Sequence, residues 1–214
     1  MCKYQEADKV FKNMRQVEPH RMEGLEIYST VLWHLQKDVD LSCLAREIAD
    51  FEKSSCAVWC SIGNCFSRHK EHETALKFFK RAILCNPRFT YAHTLCGHEY
   101  VVNEDFEKAT SCYRKAITTN PYHYNAWYGL GTIFYRQEKF SEAENHFRRA
   151  LEINPRSSLL YCYLGMVMLS SGKYEDALEQ LQIATELQPN NPQAKFQRAN
   201  VLMSLNRNEE VRAR

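Results

Sequence analysis

The chain has 214 residues, of which 44% are hydrophobic and 25% charged, and its formal net charge is +2. This composition predicts a globular protein that is long enough to bury a continuous core. No run of about eighteen apolar residues occurs, so a membrane span is not expected. The first eleven residues contain charges and no apolar stretch, which predicts that a secretory signal is absent.

A 34-residue period runs through the chain and predicts its architecture. Six kinds of position recur in the same order in four successive frames, and this order and spacing are typical of the tetratricopeptide repeat, a pair of helices. The matching positions are Trp59, His93, Trp127 and Tyr161; Gly63, Gly97, Gly131 and Gly165; Ala75, Ala109, Ala143 and Ala177; Phe79, Tyr113, Phe147 and Leu181; Ala82, Ala116, Ala150 and Ala184; Pro87, Pro121, Pro155 and Pro189.

Each repeat is predicted to form a first and a second helix. Trp59, Gly63 and Phe66 recur at spacings of four and three, so they share one face of a first helix. Asparagine-proline pairs then end the second helices, because proline lacks a backbone donor and disfavours helical angles in the residue before it. Between the two helices we predict short turns at residues 72–73, 105–106, 139–140 and 173–174.

The period divides the chain into seven segments. They are 1–21, the second helix of a truncated repeat; 22–55, a degenerate repeat; 56–89, 90–123, 124–157 and 158–191, four repeats; and 192–214, a truncated repeat. Both ends fall inside a repeat and offer no polar cap, so we expect a segment of a longer array. The predicted fold class is all-α, a right-handed tetratricopeptide superhelix, or α-solenoid, of antiparallel helix pairs.

Clusters of cysteine and histidine suggest a metal site. Cys56, Cys60 and Cys65 precede His69, but structural zinc requires paired ligands spaced to close a tetrahedron. The repeat pattern places these side chains in the core or the groove, so no metal and no cofactor is predicted. Nine cysteines without a C-x-x-C pair indicate reduced thiols, and a nuclear and cytoplasmic location is predicted.

Basic pairs also recur every 34 residues, at 80–81, 114–115 and 148–149. A basic stripe can bind nucleic acid, but the net charge is only +2 and acids such as Glu107 and Glu144 lie on neighbouring turns. We interpret the pairs as solvated outer faces of second helices, and predict no nucleic-acid partner. No catalytic motif occurs, and the repeats leave no room for a catalytic domain, so an enzyme is not predicted.

Stacked repeats form a groove lined by first helices, in which extended peptides can bind. The groove positions predicted from the period include Asn64 with Ser67, then His98, and then Asn125. Aromatic side chains with a polar group are favoured at such interfaces. A chaperone-type carboxylate clamp is disfavoured, because the corresponding positions do not supply the required amide and cationic groups.

Several segments resemble the C-terminal repeat array of the anaphase-promoting complex subunit 3 family, the cell-division-cycle 27 family. They are Tyr28–Lys37, Ala57–Ser67, Tyr124–Gly131, Gln137–Phe147 and the stretch NPRSSLLYCYLG from Asn154. The resemblance covers essentially the whole chain. It includes the W-H-L-Q stretch of the degenerate repeat, which the general repeat pattern does not explain.

The resemblance implies a non-catalytic scaffold and peptide-binding subunit of a multi-subunit ubiquitin ligase. Its partners would be the other subunits and, in the groove, the C-terminal Ile-Arg tails of coactivators that act in cell-cycle control. Asn64 matches a groove asparagine of the family, and its predicted neighbours are His98, Glu99, Asn125, Tyr128 and Tyr135. The family's self-association array is N-terminal to the matching region, so the resemblance does not imply dimerisation by this segment.

Two alternatives remain open from the sequence. The chain could be another tetratricopeptide scaffold subunit of the same complex, although the W-H-L-Q stretch favours subunit 3. It could also be the repeat region of an enzyme such as a protein O-linked sugar transferase. Ladders of groove asparagines would favour that enzyme, whereas only Asn64 and Asn125 stand at groove positions here.

Overall fold

The computed structural model describes residues 2–19, 21, 23–51 and 55–212, and every regular element in those ranges is an α-helix. In chain order the helices are α1 (Cys2–Val17), α2 (Leu25–His34), α3 (Asp38–Phe51), α4 (Cys56–Arg68), α5 (His72–Cys85), α6 (Thr90–Val102), α7 (Phe106–Thr119), α8 (Tyr124–Arg136), α9 (Phe140–Ile153), α10 (Ser158–Ser170), α11 (Tyr174–Leu187) and α12 (Pro192–Arg212).

The chain divides into two compact units, a first unit of Met1–Thr119 and a second unit of Asn120–Arg214. In the first unit the most extensive helix contacts join α4 to α5 and α6 to α7. In the second unit they join α8 to α9 and α10 to α11. Each unit is therefore built from consecutive helix pairs, and the predicted fold class, an all-α tetratricopeptide solenoid, is confirmed.

A residue in the left-handed conformation ends the first helix of each pair. These residues are Gln36, Lys70, Glu104, Glu138 and Gly172, with φ of 59°, 64°, 59°, 60° and 76°. The next backbone N–H then bonds back to the first helix, as from Lys139 to the Phe134 carbonyl oxygen at 2.9 Å. This is the hydrogen-bond pattern of a Schellman motif.

The Schellman motif places the turns earlier than the sequence suggested. The predicted positions 72–73, 105–106, 139–140 and 173–174 are wrong by one to three residues, because they coincide with the start of α5, α7, α9 and α11. The left-handed residue reverses the chain immediately after the first helix. The predicted helix ends are confirmed, since α5, α7 and α9 stop directly before the asparagine-proline pairs.

Small residues bring the two helices of a pair together. A Cβ atom added to Gly131 on α8 would lie 2.7 Å from Cε1 of Phe147 on α9, closer than real Cβ contacts come. Phe147 and its flanking alanines, Ala143 and Ala150, are fully buried. The glycine therefore provides the space for the ring.

Apolar side chains form one core cluster in the second unit and two in the first. Cys60 and Cys96 belong to the cluster that residues of α4, α5 and α6 form, where burial raises the pKa of both thiols. Among the described residues, no three His, Cys, Asp or Glu side chains are placed to hold a metal ion. A search of the same residues finds no helix with the length and apolar character needed to cross a membrane.

Candidate functional site

Asn64 joins neighbouring first helices of the first unit. It lies on α4, is only 3% exposed, and donates from Nδ2 to Ser29 Oγ at 2.8 Å and to Thr30 Oγ1 at 3.1 Å, both on α2. The hydroxyl of Tyr91 on α6 contacts Thr30 Oγ1 and donates to the Glu26 carbonyl oxygen at 3.3 Å. These bonds link α2, α4 and α6 through side chains that are largely shielded from water.

Glu99 lies in a second set of hydrogen bonds between the same helices. Its carboxylate, on α6, accepts from Ser67 Oγ of α4 at 2.6 Å and lies 2.7 Å from His72 Nδ1 at the start of α5. Ser67 Oγ also accepts from Trp33 Nε1 of α2 at 3.2 Å. Because Ser67 follows Asn64 by three residues, the two share one face of α4.

We call Ser29, Thr30, Asn64, Ser67 and Glu99 the polar strip. Glu99 is only 6% exposed, and in the described part of the chain its sole ion-pair partner is His72, with no lysine or arginine within 4 Å. Burial raises the pKa of Tyr91, so its hydroxyl remains a proton donor beside the strip. Burial also raises the pKa of Glu26. The strip thus combines hydroxyl and amide groups with one buried carboxylate.

His98 faces a different neighbour from Asn64 and Glu99. Its Nδ1 lies 2.9 Å from the Tyr113 hydroxyl, and the two rings meet edge to face with centroids 5.6 Å apart. Tyr113 is a fully buried residue of α7. The structure therefore brings Asn64 and Glu99 into linked networks on the first helices, and places His98 against the second helix of its own pair.

The predicted site residues of the second unit lie on α8. Tyr128 contacts Tyr163 of α10 and Phe147 of α9, with ring centroids 5.2 and 6.1 Å away. Tyr135 packs against Phe140 at 6.0 Å, and its hydroxyl lies 3.5 Å from Ser170 Oγ. The remaining predicted residue, Asn125, is half-buried in the first turn of α8.

The hydrogen-bond network around Asn64, Ser67 and Glu99 includes five side chains that the repeat period did not predict. These are Ser29, Thr30, Trp33, His72 and Tyr91. The repeat spacing contained a signal for two of the bonds, because Thr30 and Asn64, like Trp33 and Ser67, are 34 residues apart. Equal positions in successive first helices lie side by side, so polar residues 34 apart are candidates for a hydrogen bond.

Known proteins are similar in sequence to part of this chain. The family described as the cilia and flagella-associated protein 70 middle TPR-like domain matches residues 95–209. "Cell division cycle protein 27 homolog B" of Arabidopsis thaliana is 55% identical over 97 residues, which are 45% of this chain and 13% of that relative. The human "Cell division cycle protein 27 homolog" is 52% identical over 87 residues, 41% of this chain and 11% of that relative.

A yeast relative has a name that refers to a complex. "Anaphase-promoting complex subunit 3" of Schizosaccharomyces pombe is 46% identical over 103 residues, which are 48% of this chain and 16% of that relative. In each of these three comparisons the match spans less than one fifth of the relative's length.

Proposed function

We propose that this chain, which belongs to the family described as the cilia and flagella-associated protein 70 middle TPR-like domain, is a non-catalytic scaffold segment of the anaphase-promoting complex. Its relatives at about 50% identity are cell-division-cycle 27 proteins, and this similarity supports the proposal. The yeast relative's name, which is that of a subunit of this complex, supports the scaffold role. The other subunits are its proposed structural partners, in the nucleus and cytoplasm.

The polar strip supports a finer proposal, that the first helices of the first unit capture a C-terminal Ile-Arg tail. The observation that carries it is the buried Glu99 carboxylate, whose only ionic partner in the described part of the chain is an imidazole. A guanidinium forms its strongest hydrogen bonds with a carboxylate. Glu99 is therefore the proposed partner of the tail's arginine.

Asn64 is proposed to contact the same guanidinium as a hydrogen-bond acceptor. Both hydrogens of its amide are donated inside the protein, to Ser29 and Thr30. An asparagine amide has two donors and one acceptor oxygen. The Oδ1 oxygen is then the atom that Asn64 offers to a ligand, and it suits an N–H donor rather than a carboxylate.

The second unit offers a separate face for a bound segment. Tyr128 and Tyr135 present rings and hydroxyls on α8, and Asn125 adds an amide in its first turn. Rings with a polar group bind apolar side chains while satisfying nearby backbone groups. We propose that this face binds apolar parts of a peptide.

Peptide binding measured by fluorescence anisotropy tests the tail-capture proposal. The probe is a fluorescein-labelled peptide ending in Ile-Arg with a free carboxylate, and the controls end in an amidated arginine or in Ile-Gln. Glu99→Gln keeps the shape of the side chain and removes its charge, so we expect a loss of affinity of about tenfold or more. Asn64→Ala is expected to weaken binding in the same direction.

Thr132→Ala is the matched control variant. Thr132 stands 68 residues after Asn64, at the same repeat position in the second unit, and its hydroxyl donates at 2.7 Å to the Gly129 carbonyl oxygen of its own helix. Circular dichroism establishes that each variant is folded. Equal affinity of wild type and Glu99→Gln for the tail, or equal binding of the Ile-Gln peptide, would contradict the assignment of Glu99 to the arginine.

A further inference from the structure

Three second helices have a basic pair at the same repeat position. The pairs are Lys80-Arg81 on α5, Arg114-Lys115 on α7 and Arg148-Arg149 on α9. All six side chains belong to exposed residues. They differ in what the folded protein provides as partners, and that difference distinguishes the pair on α7 from the other two.

The pair on α5 packs against aromatic rings. The guanidinium of Arg81 lies 4.1 Å from the ring centroid of Trp59, and the ammonium of Lys80 lies 5.5 Å from that of Tyr100. Cations over ring faces at these distances are attracted by the ring quadrupole. Both charges on α5 therefore have a partner within the first unit.

The pair on α9 is neutralised mainly by acids. Arg148 donates two hydrogen bonds to Glu144, at 3.0 and 2.8 Å, and Arg149 pairs with Glu152. Arg149 also lies 6.0 Å from the ring centroid of Trp127. Both charges on α9 are thus engaged within the second unit.

In the part of the chain that the structure describes, Arg114 and Lys115 on α7 have no such partner. Their side chains form no ion pair, hydrogen bond or ring contact with any residue in the described ranges. The sequence explains this difference at three equivalent positions. Thr110 and Thr118 stand where α9 has its two glutamates, and His93 stands where α4 and α8 have tryptophan.

These smaller residues leave an open groove of about 630 Å³ along α7. Arg114, Lys115, Thr110 and Thr118 line it, together with Ser111 and Thr119. Ile83 and Pro87 form an apolar part of the wall, and Glu107 lies in it as an acid. His93 also lines the groove, where its Nε2 lies 3.0 Å from the Pro87 carbonyl oxygen.

We propose that this α7 groove is a docking site for an acidic segment of a protein partner. Charge complementarity supports this assignment, because two cations without a side-chain partner in the described ranges suit the carboxylates of aspartate or glutamate. The hydroxyls of Thr118 and Thr119 donate to carbonyl oxygens of α7 itself, so Thr110 and Ser111 are the hydroxyl residues available to the ligand. Ile83 and Pro87 provide a surface for an apolar side chain of the same segment. Glu107 repels a carboxylate placed beside it, so the acidic residues of the partner lie toward Arg114 and Lys115.

A peptide partner fits the groove better than a nucleic acid. Nucleic-acid surfaces rely on many cations that follow the phosphate backbone, whereas the groove offers two cations, one acid and an apolar wall. The proposed occupant is an acidic peptide that contains an apolar residue. This docking site is separate from the polar strip and does not depend on the tail-capture proposal.

The experiment uses a fluorescein-labelled peptide of repeating Leu-Glu-Glu and, as a control, a charge-reversed peptide of repeating Leu-Lys-Lys. Binding of the acidic peptide to the full chain is measured by fluorescence anisotropy at low and high salt. The double substitution Arg114→Gln with Lys115→Gln is expected to weaken it about tenfold, since it removes two ion pairs. Arg148→Gln with Arg149→Gln is the matched control and is expected to change the affinity less than about twofold.

A second variant keeps both cations but gives them acidic partners within the protein. Thr110→Glu with Thr118→Glu installs the acids that α9 has, so Arg114 and Lys115 gain internal partners, and binding of the acidic peptide is expected to be lost. Circular dichroism confirms that this variant remains helical.

Several results would overturn the proposal. They are an absence of salt-sensitive binding by the wild type, equal weakening in the α7 and α9 double variants, and undiminished binding by the glutamate variant. Equal affinity for a single-stranded oligonucleotide would show a general basic surface instead of a peptide site.

Discussion

Neighbouring first helices are joined by different chemistry in the two units. In the first unit, buried polar groups connect them: Asn64 bonds to α2, and Ser67 connects Trp33 with Glu99. In the second unit a ring contact joins them, with Tyr163 of α10 packed against Tyr128 of α8, and the polar contact between Tyr135 and Ser170 is longer, at 3.5 Å, and exposed. The repeat is the same in both units, yet the contact between successive first helices is not.

The difference shows that the repeat constrains the contact within a helix pair more than the contact between successive first helices. Within a helix pair, glycine, alanine and a large apolar side chain must fit together, and both units keep that solution. Between successive first helices the chain can use hydrogen bonds or rings. A buried polar group requires a matching partner, whereas rings tolerate exchange of one apolar group for another. The polar interface should therefore be the less tolerant of conservative exchange, whereas removal of a whole ring should cost more than removal of one amide.

The largest effect is expected for loss of a ring in the second unit. Tyr163 contacts both Tyr128 and Phe147, with centroids 5.2 and 5.5 Å away, so Tyr163→Ala removes packing on two helices. We expect the free energy of unfolding to fall by about 3 kcal/mol. Urea denaturation followed by circular dichroism measures it. Tyr163→Phe keeps the ring, and an equal loss in that variant would show that packing is not the cause.

Loss of Asn64 should have the next largest effect. Asn64→Ala removes the amide that donates to the buried hydroxyl of Ser29 and to the partly buried hydroxyl of Thr30, at a cost of about 2 kcal/mol. The same denaturation experiment measures it. A double-mutant cycle with Ser29→Ala isolates the bond, and simple additivity of the two losses would contradict coupling across α2 and α4.

A smaller loss of stability is expected in acid, from Asp8 of α1. Burial alone would raise its pKa, but hydrogen bonds from Lys37 at 2.7 Å and from Tyr28 at 3.1 Å outweigh burial and hold the pKa below its ordinary value. A carboxylate with a lowered pKa stabilises the fold above its unfolded pKa of about 4, and this contribution is lost as the pH falls through the folded pKa.

The pH dependence is measured as the difference in unfolding free energy between wild type and Asp8→Asn, because this difference cancels the other carboxylates. It should shrink as the pH falls from about 6 to about 3. A constant difference over that range would contradict the contribution of Asp8.

The smallest effect is expected for Thr132→Ala in the second unit. Its hydroxyl bonds within α8, so its removal leaves no group on another helix unsatisfied. The loss should remain below about 0.5 kcal/mol. A loss as large as that of Asn64→Ala would remove the distinction between the two units at this repeat position.

The sequence predicted the helices and their core with few errors. The glycine and the large apolar residue 16 positions later recur in each of the four repeats, and pairs such as Gly131 and Phe147 meet in the structure. The turns were displaced, because non-glycine residues such as Lys70 and Glu138 adopt the left-handed conformation and give no compositional signal. Of the candidate site residues, His98 showed the limit most clearly, since only the structure pairs it with Tyr113.

The sequence by itself determined the repeat, the helix pairs and the positions that form the core, because these depend on contacts between residues at fixed separations along the chain. Tertiary structure decided which polar groups are satisfied. Asn64 and Glu99 have partners on other helices, whereas Arg114 and Lys115 have none in the described part of the chain. Whether a polar group is paired depends on distance, burial and orientation across helices, and the order of residues leaves these quantities open.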